Sequence, residues 1–263
     1  MSRNLRILLT VVPIAAVALL VVSLRVWPVD FGGPVWVDSG PSTRLVVLGF
    51  WVLTTLVASM SPVHMPRGPV VSVATAPIIA SAILGGPSAA AIVAVLGTIE
   101  LRELQGRVPW YGVVYNHAFP VLAAVLSGVL FILLSGGSGV ASPLGLIAGV
   151  VAGIVFVLVE IGMSSLAIAL REERPLRAVL AGGFRSFGMS LVGLTPMAWL
   201  MALAYMYVGP LIALVFALPL YTTRAAYKAV VDIREMFTQT VKALASAIDA
   251  RDPSTKKHSE HVS

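Results

Sequence analysis

The sequence predicts an all-α fold: a polytopic helical membrane bundle of about eight spans, followed by a cytoplasmic amphipathic helix. Three observations predict it. The 263 residues are 58% apolar and only 11% charged, with a mean hydropathy of +0.94, whereas a soluble domain is nearer half apolar and a quarter charged. The apolar residues fall into runs long enough, in most cases, to cross a hydrocarbon core. Lys and Arg gather in alternate gaps between those runs, which is how multi-pass membrane proteins are oriented. The net charge of +6 therefore reads as a topology signal. It is not gathered on one face as a nucleic-acid footprint would be, so no nucleic-acid partner is expected. The absence of cysteine excludes disulfides and Cys-ligated metal centres.

The runs, in order, are Leu5–Trp27, Leu45–Met60, Val70–Leu84, Ala89–Leu101, Val113–Leu134, Leu144–Leu170, Phe187–Val208 and Leu211–Thr222. The first is too long for the core of a cleaved signal peptide and lacks a cleavage site, so it is a retained span. The third and fourth are short and joined by Gly85-Gly86-Pro87, which predicts a tight helical hairpin. The density of Ala, Ser and Gly from Ala74 to Ala94 suits close helix packing. The eighth run is short and carries Pro219. With the N-terminus in the cytoplasm, the cytoplasmic segments hold Arg3, Arg6, Arg67, Arg102, Arg107, Arg171, Arg174, Arg177, Arg185, Arg224 and Lys228. The external span ends hold only Arg25 and Arg44. This predicts a multi-pass protein of a bacterial cytoplasmic membrane with both termini cytoplasmic and lipid as its first partner. Trp27, Trp36 and Trp110 fall where interfacial aromatics anchor spans.

After the membrane domain (residues 1–223) the pattern changes. Over residues 224–250, Val230, Ile233, Phe237, Val241, Leu244 and Ile248 recur at steps of three and four, with Asp232, Arg234, Glu235, Gln239 and Lys242 between them. This is helical periodicity. The seam Val230, Ile233, Phe237 and Leu244 is that of a signalling helix that either pairs with a second copy, as in a parallel homodimer, or packs on its own domain. The helix follows the last span directly, so it can carry motion from membrane to cytoplasm.

The chain then reads Ala243-Leu244-Ala245-Ser246-Ala247-Ile248-Asp249-Ala250-Arg251-Asp252-Pro253-Ser254-Thr255-Lys256-Lys257-His258-Ser259-Glu260-His261-Val262. This segment resembles the opening of an HD-GYP domain, a branch of the HD metal-dependent phosphohydrolases: an Ala-Leu-rich helix, Arg-Asp-Pro, Thr, then His-Ser. The resemblance covers about twenty residues. It implies a parent that hydrolyses cyclic di-GMP with a two-metal site of divalent ions, with His258 matching the first metal-binding His. His261 stands where the family usually has Arg, and Ser254 stands where some members carry an extra Glu ligand. The His-Asp pair, the later histidines and the Gly-Tyr-Pro motif would lie beyond Ser263. On this reading residues 251–263 are the incomplete start of the domain, and this chain alone carries no complete catalytic set, no cofactor and no binding site for cyclic di-GMP, since one imidazole cannot hold a catalytic metal.

Polar residues within or beside the spans are the remaining candidates, because ionisable groups are costly there and usually functional. They are His64 and Arg67 before the third run, Glu100 at the end of the fourth, His117 (beside Asn116) early in the fifth, and Glu160 in the middle of the sixth. Glu160 is expected to face His117 or a backbone group, either as a polar lock between helices or as a ligand or proton site. The cluster Arg171–Arg177 mixes signs and suits lipid headgroups. No nucleotide fingerprint or Ser–His–Asp set is present.

The leading expectation is a membrane-embedded sensory and anchoring region coupled to an HD-GYP-type phosphodiesterase. The alternative is a small-solute permease or transporter subunit, favoured by spans interrupted by Gly and Pro. An enzyme acting within the membrane is a third reading, but its candidate residues are too scattered to assign a reaction.

Overall fold

The computed structural model describes residues 2–31, 41–60, 73–184 and 189–251, and among them every regular element is helical. The helices are α1 (Arg3–Val26), α2 (Pro41–Ser59), α3 (Thr75–Gly97), α4 (Leu101–Leu104), α5 (Trp110–Ser135), α6 (Pro143–Glu172), α7 (Leu176–Gly183), α8 (Met189–Val208) and α9 (Ile212–Arg251); a 3-10 turn, Gly209–Leu211, links the last two. Six stretches are long and apolar enough to cross a membrane: α1, α3, α5, α6, residues 42–59 of α2, and 193–211 across α8 and the turn.

The boundaries follow from local chemistry. Ser2 caps α1 by accepting from the Leu5 N–H at 3.3 Å. Ser142 does the same for α6, accepting from Gly145 N at 2.9 Å, with Pro143 at the first helical position; both devices satisfy or dispense with an otherwise orphaned N–H. Gly136 ends α5 in the left-handed conformation, φ 56°, where glycine carries no Cβ penalty.

The core is α3. Nearly all of its residues are buried, including Ile78, Ile79, Ala80, Ala90 and Val93, and a helix apolar on every side belongs in the middle of a bundle. Helices α1, α2, α5, α6 and α8 all pack on it. Between apolar helices in lipid, close packing and hydrogen bonds replace the hydrophobic drive. The contacts fit that rule. A Cβ on Gly97 would lie 2.6 Å from Thr55 Cβ, one on Gly153 2.7 Å from Thr195 Cβ, and one on Gly149 3.0 Å from the Trp199 ring.

α3 is a hairpin. Its chain breaks at Gly86 (φ 73°, ψ −171°), a conformation that only glycine adopts readily. Helices α5 and α6 are antiparallel neighbours, with Tyr115 Oη donating to Met163 O at 2.8 Å. Along α6, Thr75 meets Glu160 and Ile83 meets Gly149. Along α5, Pro87 meets Gly128, and Val95 and Thr98 meet His117. Both ends of α3 therefore lie at one level of the bundle, with Gly86 at its other, upper end. There Ser88 Oγ donates to Trp27 O at 2.5 Å.

This gives the predicted hairpin, but changes its dimensions. The limbs, 75–85 and 87–97, are each about 16 Å long at 1.5 Å per residue, half of a hydrocarbon core. The fourth run was expected to reach Leu101; its limb stops at Gly97, and Leu101 opens the short α4 instead. The eighth run does not end at Thr222. From Ile212 on it is the first quarter or so of α9, which continues through Pro219 without interruption to Arg251. In the Arg171–Arg177 cluster, Arg171 and Glu172 finish α6, Glu173 turns left-handed (φ 54°), and Leu176 begins α7.

Candidate functional site

The lower ends of the two α3 limbs are where polar side chains converge. Each limb end meets a side chain suited to its dipole. At the start of the first limb, Thr75 Oγ1 donates to Glu160 Oε2 at 3.1 Å. Thr75 is buried and Glu160 half-buried. A carboxylate at a helix N-terminus faces the positive end of the macrodipole. At the end of the second limb, the His117 ring approaches the Val95 carbonyl through Nδ1 at 3.0 Å and Thr98 Oγ1 at 3.3 Å. Thr98 Oγ1 itself donates to Ala94 O at 2.6 Å. A carbonyl only accepts, so Nδ1 carries its proton, which suits the negative end of a limb.

The other His117 nitrogen, Nε2, lies 3.0 Å from Glu103 Oε2. Glu103 is the centre of the cluster. Its side chain is only 4% exposed. It accepts from Glu100 N at 3.3 Å and from Asn116 Nδ2 at 3.2 Å as well. The Glu100 N–H and the Asn116 amide are donors to it, which offsets part of the cost of taking a carboxylate out of water. Glu100 points elsewhere, accepting from Arg102 Nη2 at 2.9 Å and Nε at 3.3 Å. The cluster ties α4 and the 98–100 turn to α5 and to the end of α3. Nearby, Ser59 Oγ donates to Ile99 O at 3.1 Å and fastens α2 to the same turn.

The structure thus separates Glu160 from His117, one of the two partners the sequence offered it. Glu160 does not face His117; its partner is Thr75, and His117 pairs with Glu103. Glu100 lies close to His117 in the chain, but its ion pair is with Arg102. His64, Arg67 and His258 lie outside the described residues. Among the seam residues of α9, Val230, Ile233, Phe237 and Leu244 are 42%, 62%, 69% and 60% exposed. Sequence reasoning missed Glu103, Thr75 and Thr98. Glu103 was legible as an acid three residues after Glu100 and shortly before an apolar run; Thr75 and Thr98 carry no signal of their own.

Among the described residues no three His, Asp or Glu side chains converge as a metal site would require. What the arrangement can do is mechanical. It couples four elements, α3, α4, α5 and α6, through hydrogen bonds at one level of the bundle. No protein-family model, curated protein or solved structure matches this chain.

Proposed function

We propose that this chain is the membrane-embedded sensory and anchoring region of an HD-GYP-type cyclic di-GMP phosphodiesterase, coupling a signal to a cytoplasmic metal-dependent phosphohydrolase domain. The observation that carries the proposal is α9. It is one helix of 40 residues, Ile212–Arg251, that starts at the upper turn of the bundle and runs toward its other end, stopping at Arg251. Among its described side chains beyond the first turns, Val231 is the buried one, packed with Val157, Ile161 and Leu194. A shift of α6 or α8 therefore reaches the segment that resembles the opening of the catalytic domain. Arg102, Arg107, Arg171, Arg174 and Arg177 stand near the end of the bundle toward which α9 points, which supports a cytoplasmic placement there. In this reading the divalent metals and cyclic di-GMP belong to the complete catalytic domain, and His258 is one ligand of that set.

The test has two parts. The coding sequence downstream of Ser263 is read, and membranes containing the continued protein are assayed for cyclic di-GMP hydrolysis. A frame that runs on into a His-Asp pair and a Gly-Tyr-Pro motif, with metal-dependent hydrolysis, is expected. A stop codon after Ser263, or an inert continued protein, removes the proposal.

A second reading, a small-solute permease subunit, is favoured by the broken helix. Half-length helices whose ends meet polar side chains inside a bundle build the binding sites of many transporters, and the α3 limbs end at Glu160 and His117. Uptake of solute by vesicles carrying this chain alone would favour it over the sensory reading.

A further inference from the structure

The apolar positions of α9 repeat every eleven residues. Val230, Ile233 and Phe237 are followed at an interval of eleven by Val241, Leu244 and Ile248. A heptad frame through Val230, Ile233, Phe237 and Leu244 places Thr240 and Ala247 in the seam and leaves Val241 and Ile248 out. The eleven-residue frame takes in all six. Eleven residues over three turns is 3.67 per turn, close to the natural α-helix, so the stripe runs almost straight along the helix with a slight right-handed drift.

Ile212 and Phe216 hold the upper end of α9 in the core. Between residues 228 and 247, however, the stripe is not the face that holds the bundle: the buried residue there is Val231, 9% exposed, about 100° round the helix from Val230. The stripe itself stays open: Val230 42%, Ile233 62%, Phe237 69%, Val241 49% and Leu244 60% exposed. Packing on its own domain, one of the two roles the sequence allows, therefore does not use it. Charges avoid it as well. On the same helical net Lys228, Asp232, Glu235 and Lys242 fall on the far side, and only Arg234 borders the stripe.

We infer that α9 pairs through Val230, Ile233, Phe237, Val241 and Leu244 with the same helix of a second copy of this chain, parallel, in register and nearly straight. The charge pattern selects the occupant. In a parallel pair of identical helices each residue meets its own counterpart, so any charge in the seam would face its like; a seam free of charge is what self-pairing requires. Copies inserted in one bilayer also present α9 in the same direction, and confinement raises their effective concentration. The inference rests on the proposed placement of α9 below the membrane, but not on the catalytic assignment.

The chain has no cysteine, so single cysteines report without background. The full chain is reconstituted in bilayers with one cysteine at a time from position 229 to 245, then oxidised. Disulfide dimers are expected to peak at Val230→Cys, Ile233→Cys, Phe237→Cys, Val241→Cys and Leu244→Cys. They should be several-fold lower at Asp232→Cys, Glu235→Cys and Gln239→Cys. The pattern should persist when lipid is in large excess, and Ile233→Asp should abolish it in the Phe237→Cys background. Stronger cross-linking at Thr240→Cys than at Val241→Cys would overturn the eleven-residue geometry. Cross-linking that is uniform, or lost on dilution with lipid, would overturn the pairing itself. Neither result involves cyclic di-GMP hydrolysis, so the catalytic proposal stands or falls separately.

Discussion

Single residues decide whether the α3 hairpin can close. Gly86, at φ 73° and ψ −171°, sits where a Cβ is strained whatever the space around it. Gly86→Ala is expected to cost about 1–3 kcal/mol, seen as a lowered thermal midpoint in mild detergent. Gly128 is the complementary case. Its own backbone is ordinary, but an added Cβ would lie 2.7 Å from Pro87 Cα, and backbone cannot step aside as a side chain can. Gly128→Ala should cost about 1–3 kcal/mol through overpacking, while Gly162→Ala, with open space around it, should be neutral or slightly stabilising. Glu103→Ala strips the partner from His117 Nε2, Asn116 Nδ2 and Glu100 N, and should lose about 1–3 kcal/mol. Glu100→Ala breaks only a partly exposed ion pair with Arg102 and should change stability by less than about 1 kcal/mol. Glu160→Gln keeps an oxygen for the Thr75 hydroxyl, so its thermal midpoint should stay close to the native one. A signalling or uptake defect in that folded variant would then assign Glu160 a role beyond packing.

At the scale of elements, the sequence was most legible where the physics is local. Gly85-Gly86-Pro87 between two short apolar runs announced a hairpin, and the break falls at Gly86. The three- and four-residue steps from Val230 to Ile248 announced the helix that α9 proves to be. Less legible was whatever depends on neighbours. The end of the fourth run was placed at Leu101 because the residues stay apolar to that point. Yet the limb stops at Gly97, since Thr98 turns to bond back to Ala94 and Glu103 draws the chain into α4. The pairing of Glu160 was open for a related reason. Its partner, Thr75, is a small hydroxyl 85 residues away in a stretch whose composition reads only as packing. The hydrogen-bonded tie at the lower end of α3 yields its own expectation. Amides of the 98–109 segment should exchange with solvent faster in Glu103→Ala than in the native chain, while those of the distant α6 start should not change.

For the whole molecule, membrane character was readable from composition and charge alone, because a chain this apolar has few other ways to satisfy its backbone. Six apolar stretches of membrane-spanning length among the described residues, the α3 hairpin counted as one, agree with it. The count of eight spans was less secure, because residues tallied by hydropathy cannot tell a full crossing from half of a hairpin. The functional proposal makes a geometric prediction at this scale. Inserting one alanine after Glu235 turns everything distal to it by about 100°, whereas deleting residues 233–243 removes one whole repeat, keeps Val231 and preserves phase. In the continued enzyme the insertion should uncouple or lock cyclic di-GMP hydrolysis, and the deletion should leave its regulation nearer to the native state.

The anchoring of α9 at Ile212, Phe216 and Val231 also makes its other half a lever. Val231 lies near the middle of the 40 residues, with about 30 Å of rigid rod on either side at 1.5 Å per residue. The fulcrum sits where α6 and α8 grip it. A tilt of about 10° about that point would carry Arg251 some 5 Å sideways. A small shift of α6 or α8 against Val231 would therefore be enlarged at the Arg251 end, with no helix having to slide, unwind or rotate.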